Sequence, residues 1–328
     1  MSRRRRFLVA TGAAAGMAAL GLRSSPASAQ PLKSARIVVG FPPGGSNDVI
    51  ARLLADKLRG VYADTLIVEN RAGAGGRIGV EVVRNAAPDG SVILQTPGTI
   101  LTMYPHLYRS LGYDALRDFR PVSPICTFDI ALAVGPETTA RTVGELVQWF
   151  KANPQRASFG SPAPGASPHF VGLMFAQAAG LNLVHVGYKG AAPAVQDLLG
   201  GQIPAYFGTL ADVAPYLDSG RVRVLATSGP TRAALTPESP TFVEAGYRSV
   251  QVQEWYGMLL PAGAPPSMAT ALNEALRGAL RDSDVIARLK TLNVDPAPMS
   301  PSDFAERIRN EQVAWAPVVR ASGFKPEG

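Results

Sequence analysis

A single cysteine, Cys126, in 328 residues excludes any disulfide within the chain, so the folded state must rest on a packed core rather than covalent staples. It stands in an apolar run and reads as a small core residue rather than a nucleophile. Histidine is nearly as scarce, and His106, His169 and His185 lack the spacing of metal ligands. No G-x-x-x-x-G-K-[ST] run is present, so nucleoside triphosphate binding has no motif. The G-x-S-x-G elbow of α/β hydrolases is missing too. Ser161 and His169 could meet in one loop, but no third group completes a catalytic set. GAGGRIG (73–79) approaches a dinucleotide loop, yet Ile78 stands where the third glycine belongs and Gly79 comes one residue too late.

Long apolar runs are also lacking. The longest, FLVATGAAAGMAALGL, has about 16 residues, short of the roughly 20 that span a bilayer. It follows MSRRRR and precedes Ala27-Ser28-Ala29, a small-residue cleavage site, so residues 1–29 read as an export signal removed after Ala29. Arg4, Arg5, Phe7 and Leu8 match the core of a twin-arginine signal, with Arg3 where Ser or Thr is usual. This segment holds five arginines (Arg3 to Arg6 and Arg23) and no acid, so its removal takes the formal charge from +7 to +2. The basic balance therefore belongs to the signal, and a nucleic-acid or membrane-surface partner loses its support.

What is present is alternation. ARIVVG (35–40) is a continuous apolar run, as in a strand covered on both faces. SNDVIARLLADKLRG then sets Val49, Ile50, Leu53, Leu54 and Leu58 at helical spacing. Strand-like segments recur at 66–70, 91–96, 156–160, 183–188, 203–208 and 222–228, with helical patterns between them, including 77–87, 167–180, 191–200 and 209–219. Such repetition predicts right-handed crossovers and parallel sheets clad by helices. FDIALAVGPE (128–137) and QVQEWYGMLLPAG (251–263) read as two strands connecting one α/β domain with a second inserted into it; three helical segments (266–281, 284–292, 302–322) end the chain.

Ligands of such sheets bind at the carboxyl ends of strands, where helix N-termini converge. FPPGGSND (41–48) occupies that position, with two glycines that let backbone approach a ligand and Ser46 or Asn47 available to cap. SPAPGAS (161–167) leads into Pro168 with Ser167 placed as an N-cap; YKGAA (188–192) opens another helix, and Thr209 with Asp212 has capping-box spacing. Helix starts of this kind attract anions through oriented N–H groups without needing a basic side chain. Recurrence in two domains points to an anion-binding cleft. Trp255 and Tyr256, on the return strand, could serve as hinge or as cleft wall.

IVVGFPPGGSNDVIAR, VENRAGAGGRIG, DGSVILQTPGT, YDALRDFRPVSPI, HVGYKGAAPAVQDLLGGQI, VRVLATSGPTRAALTPESPTFVEAGY and WYGMLLPAGAP follow one another in order. Together they resemble the Bug, or tripartite tricarboxylate transporter receptor, family of periplasmic solute-binding proteins, from about residue 35 onward. The resemblance implies a type II periplasmic-binding-protein fold, with two doubly wound lobes joined by two crossing strands: 30–130 with 256–328, and 131–255. It implies a monomeric, non-enzymatic periplasmic receptor with no cofactor and no metal. The receptor would hold a small mono-, di- or tricarboxylate or acidic amino acid through backbone N–H groups, hydroxyls and waters. Its partner would be the membrane subunits of a transporter, with a sensor kinase's periplasmic domain as the alternative and a periplasmic hydrolase as a more distant one. Carried over residue by residue, one lobe offers Phe41, Gly44, Gly45, Ser46, Asn47, Asp48, Thr96 and Gly98. The other offers Ser161, Gly165, Ala166, Tyr188, Gly190, Ala191, Ala192 and Thr209. Asp48 would either close the helix start and face away or pair with a ligand ammonium. This chain departs from the family in Asn47 for threonine, Tyr104 for asparagine, Gly187 for proline and the two prolines of SPAPGAS.

Overall fold

The apolar run near residue 37 is the heart of the first strand, β1 (Leu32–Val39), in a computed structural model that describes residues 31–324. The export-signal segment lies outside the described residues. Ile37, Val38 and Val39 are all fully buried; consecutive strand side chains point to opposite faces, so both faces must be covered. β1 pairs in parallel with β2 (Ala63–Asn70) and with β3 (Val92–Pro97), and helices Ser46–Leu58 and Arg77–Arg84 lie in the crossovers. Ile50, Leu54 and Leu58 form the buried stripe of the first helix, whereas Val49, read onto the same face, is 40% exposed.

Next comes β4 (Phe119–Val134), which begins nine residues before the strand expected at 128. Pro121 and Pro124 hide its first half from sequence reading, because proline cannot donate to a ladder. The structure accommodates them at irregularities, since register with the return strand shifts between Pro121 and Ser123 and again between Pro124 and Cys126. A second parallel group follows: β5 (Ser158–Ser161), β6 (Val184–Gly187) and β7 (Ala205–Thr209). β8 (Arg223–Thr227) pairs with β4, and β9 (Gln253–Pro261) is the return strand.

β4 changes partners along its length. Phe119 to Asp129 pair with β9, and Ile130 to Val134 pair with β7 and β8. The order β2-β1-β3-β9-β4-β7-β5-β6 is therefore continuous, with β10 (Asp295–Pro296) added beside β4. Two separate sheets were the expectation; the long shared strand merges their ladders. Pro215 likewise cuts the helix expected at 209–219 to Leu210–Val213 and a 3-10 turn, Ala214–Tyr216. The final helix, Pro301–Ser322, returns to the first group, where buried Phe304 meets the Trp255 ring edge-to-face at 5.0 Å. Among the described residues, no helix is long and apolar enough to cross a membrane.

Two substitutions test this packing. A Cβ on Gly40 would lie 2.6 Å from the Gly76 carbonyl oxygen and 2.9 Å from its Cα, so only backbone could give way. Gly40→Ala is expected to cost about 1–3 kcal/mol, read as a lowered urea midpoint at unchanged slope; an unaltered midpoint would contradict the close approach. Asp129 sits where β4 changes partners, and burial pushes its carboxyl up to about 6, against a hydrogen bond from Gln253 and with the charge of Asp295 adding to the rise. The folded state thus favours the neutral acid, a contribution complete below the unfolded value of 3.8 and lost as pH rises through about 6. Asp129→Asn should therefore stabilise the protein at pH 7 by about 1–2 kcal/mol, discounted for partial exposure, and hardly at all at pH 4. Equal gains at both pH values would refute the assignment.

Candidate functional site

FPPGGSND carries the chain from β1 into helix Ser46–Leu58 through Gly44, whose φ of +90° lies in the left-handed region that favours glycine. Gly45 is the N-cap and receives no side-chain cap bond; Ser46 and Asn47, expected as caps, already lie inside the helix. Asp48 closes the turn instead. Its Oδ2 accepts from the Gly44 N–H at 3.0 Å and from Arg52 Nε at 3.0 Å, and its Oδ1 accepts from Arg52 Nη2 and Asn70 Nδ2, both at 2.9 Å. Burial alone would raise this carboxyl, but the bonds from Arg52, Gly44 and Asn70 outweigh it and hold the group below its usual range. Four donors occupy the carboxylate, which leaves nothing for a ligand ammonium.

The second turn shows the same diversion of capping groups. Helix Ser167–Ala178 has Ala166 as its N-cap, without a side-chain bond, and Ser167, expected as the cap, is its first residue. The Ser167 hydroxyl donates to Glu254 Oε2. Gly165 spends its N–H on His169 Nδ1 at 3.0 Å. Ser161 is fully buried and bonds His185 Nε2 at 2.8 Å rather than meeting His169. His169 stacks on His185 with centroids 3.6 Å apart. Burial lowers His169 to about 3, with His185 adding to the effect, and burial lowers His185 to about 4, so both rings are neutral packing groups near neutral pH. Gly187 has a clear role here: a Cβ at 187 would lie 2.4 Å from Pro164 Cγ, so glycine makes the room that the second proline of SPAPGAS needs.

The third helix start belongs to Ala191–Leu199, whose N-cap, Gly190, has φ +112° and again no side-chain cap. Gly190 approaches Pro42 of the first turn: a Cβ there would be 3.4 Å from the Pro42 ring. Tyr188 turns away, its hydroxyl on Asp197 at 2.7 Å. At the fourth turn the Thr209 N–H donates to Asp212 Oδ2 at 3.0 Å, as capping-box spacing predicts. Thr209 Oγ1 reaches Ser46 Oγ at 3.4 Å, and Ser46 Oγ lies 2.8 Å from the Tyr256 hydroxyl, so one hydroxyl chain links three elements.

These turns enclose a cavity of ≈ 110 Å³. Of the residues expected at a ligand, Phe41, Gly45, Ser46, Asn47, Ala166, Gly190, Ala191, Ala192 and Thr209 line it. Gly44, Asp48, Ser161, Gly165 and Tyr188 stand behind it, engaged as described. Thr96 and Gly98 also fall outside the wall, to which Pro97 and Thr99 contribute instead; Gly98 is pressed against the Trp255 ring and Glu254. Of the return-strand pair, Tyr256 is wall and Trp255 is core, with its Nε1 donating to Glu311 at 2.7 Å. Sequence reading missed Thr99, Phe128, Lys189 and Glu254 in the wall, and it took Ser167 and Asp212 only as caps. Lys189, next to the recognised YKGAA turn, was the findable one.

Two helices, Ser46–Leu58 and Ala191–Leu199, thus begin at one cavity with no side chain across their first N–H groups. At Ser167–Ala178, by contrast, the first N–H goes to Thr99 Oγ1 at 3.2 Å and Pro168 has none. Other helices show the ordinary alternative: Thr142, Asp282 and Ser300 accept N–H bonds at the starts of Val143–Ala152, Ser283–Thr291 and Pro301–Ser322, although Arg77–Arg84 and Pro266–Ala279 also lack a side-chain cap. Asn47 adds a donor. Gln95 Nε2 donates to both the Asn47 carbonyl (2.8 Å) and its Oδ1 (2.7 Å), which fixes the amide orientation and leaves the buried Nδ2 without a partner. A hydrogen bond to a charged group contributes about 1.5–3 kcal/mol, against 0.3–1 kcal/mol for a helix dipole, so N–H contacts dominate what this cavity can offer an anion.

The sequence pattern of the tripartite tricarboxylate transporter family receptor matches residues 50–324. Protein BugT of Bordetella pertussis is 33% identical over 305 residues, spanning 92% of this chain and 94% of its own. Among solved structures, the periplasmic binding protein BugD is similar at 30% identity and TM-score 0.84, covering 90% of this chain and 100% of that one. An R. palustris protein with adipate matches at 28% and 0.85, covering 90% and 98%. MatC from Rhodopseudomonas palustris with bound malate matches at 26% and 0.82, covering 88% and 99%.

Asp48→Ala tests the division between turn and cavity. The variant should lose about 1–3 kcal/mol of stability at pH 7, because Gly44, Arg52 and Asn70 lose a buried acceptor. A depressed carboxylate stabilises above its unfolded value and loses that contribution as pH falls through its folded one, so the deficit should shrink in acid. Thermal scans of both proteins from pH 7 to pH 3 measure it, and a deficit independent of pH would rule out the ionic role.

Proposed function

Because the chain belongs to the tripartite tricarboxylate transporter receptor family, we propose that it is a periplasmic receptor that captures a small carboxylate in this cavity for delivery to a membrane transporter. The carrying observation is the convergence of two uncapped helix starts on a wall in which Lys189 is the basic side chain. The carboxylate accepts N–H groups from the turns at Gly45–Asn47 and Gly190–Ala192, with Asn47 Nδ2 and the hydroxyls of Ser46 and Thr209 alongside. Relatives hold adipate and malate, so a carboxylate ligand is consistent with the fold's use elsewhere.

The chain divides as 30–130 with 256–328 against 131–255, two lobes that close over the ligand. Closure excludes water, which strengthens each hydrogen bond, and gives the transporter a surface distinct from the open form. Export removes residues 1–29 and leaves the receptor in the periplasm. Capture rather than catalysis is its role: the one serine–histidine contact of the second turn, Ser161 with His185, is buried behind the wall and used for packing.

Thermal unfolding of residues 30–328, refolded from denaturant to strip bound ligand, tests this against mono-, di- and tricarboxylates and amino acids. A ligand at one hundred times its dissociation constant adds about 2.7 kcal/mol, several degrees for a chain of this size. Stabilisation by one class of acid is the expected result, and none by any would defeat the receptor reading. Ala191→Pro removes one N–H at a first helical position that proline tolerates. It should weaken the active acid about tenfold while the unliganded melting temperature stays within a few degrees.

A further inference from the structure

Glu254 is a buried carboxylate in the wall of a cavity built for an anion, and among the described residues no cation pairs with it. Three donors converge on it: the hydroxyls of Thr99 and Ser167 on Oε2, and the Trp255 N–H on Oε1 at 3.0 Å. Thr99 Oγ1 also accepts the Ser167 N–H at 3.2 Å, which directs the Thr99 proton toward Glu254. Three donors reach this carboxyl, and in its ionised form one of its roughly four acceptor positions remains open. Burial pushes the Glu254 carboxyl above its ordinary range, with the bonds from Ser167, Thr99 and Trp255 pulling the other way, so its charge is incompletely compensated. Buried charges are normally paired. Lys189 is the basic residue of the wall, but it is exposed and forms no ion pair with Glu254.

We propose that Glu254 receives the ammonium of an α-amino acid whose carboxylate lies at the uncapped helix starts. This assignment rests on the carboxylate-receptor reading and narrows its ligand class. The spacing comes from the return strand: Ser46, the first residue of an uncapped helix, bonds the Tyr256 hydroxyl at 2.8 Å, and Tyr256 stands two residues from Glu254 on the same strand face, with both in the cavity wall. Anion-receiving and cation-receiving groups therefore stand side by side at one corner of the cavity, as the two charges of an α-amino acid require. Because Thr99 and Ser167 spend their protons on Glu254, they present only acceptor lone pairs to a ligand, which suits an ammonium and not a second carboxylate. The rest of the wall near this corner is apolar: Phe128 and Tyr256 pack with centroids 4.5 Å apart, and Phe41, Pro97 and Pro168 join them. That surface matches the carbon body of the ligand.

The test is calorimetric titration at pH 7 of the stripped, refolded mature chain with matched pairs that differ only in the amino group. Suitable pairs are L-phenylalanine with 3-phenylpropionate, L-leucine with 4-methylpentanoate, L-aspartate with succinate, and L-glutamate with glutarate. The expected result is an amino acid that binds at least tenfold tighter than its deaminated partner. Glu254→Gln should erase that preference, and its melting temperature and circular dichroism report whether it folds. If the variant does not fold, the wild-type pairs decide alone. Deaminated acids that bind as well as or better than the amino acids overturn the ammonium assignment while the receptor reading stands. No binding by any member of the panel overturns the ammonium assignment, and the wider acid panel used for the receptor reading decides that reading separately.

Discussion

Strand β4 is long enough to belong to two ladders, and the geometry of the cavity depends on where it changes partners. Up to Asp129 it is bonded to β9; from Ile130 it is bonded to β7 and β8. The cavity forms beside that transition, and both crossing strands contribute to its wall, Phe128 from one and Glu254 with Tyr256 from the other. In each parallel group the strand order then brings the helix starts to the same side, because every crossover leaves from the carboxyl end of its strand. Uncapped N–H groups and a buried carboxylate share one small volume for topological reasons.

The chemistry of that volume arises from polar side chains that are engaged elsewhere. Asp48 could have capped its helix but braces Gly44, Arg52 and Asn70; Ser167 could have capped its own but donates to Glu254; His169 takes the Gly165 N–H. Each diversion stabilises a turn, and at Ser46–Leu58 it leaves first-turn donors open. Three remote helices, where no ligand is expected, are capped conventionally by Thr142, Asp282 and Ser300. Arg77–Arg84 and Pro266–Ala279 also start without a side-chain cap, so it is the convergence of open starts on one cavity that distinguishes the site, and it agrees with the family to which the chain belongs.

Much of the fold was legible because hydrophobic periodicity and glycine-rich turns are local signals. β1, β3 and the helices that follow the recognised turns lie close to where the pattern puts them. The errors have local causes as well. Pro121 and Pro124 disguised half of β4, because bulges that accommodate proline are set by the partner strand. Val49 was assigned to a buried face that its helix turns outward. Ser161 and His169, plausible partners in a loop, are each claimed by His185 from another strand.

The sequence by itself determined the alternation of strand and helix, the turns at 41–48, 161–167 and 188–192, the family resemblance and the absence of disulfide or nucleotide motifs. Those properties depend on residues near one another in the chain. Only the tertiary structure decided that Asp48 faces away from the cavity, that Gly187 exists to admit Pro164, and that Glu254 stands in the cavity wall beneath Thr99 and Ser167. The partners in each case are separated by as few as four residues or as many as 155. Side-chain direction and burial depend on the full set of neighbours, and no local pattern encodes them.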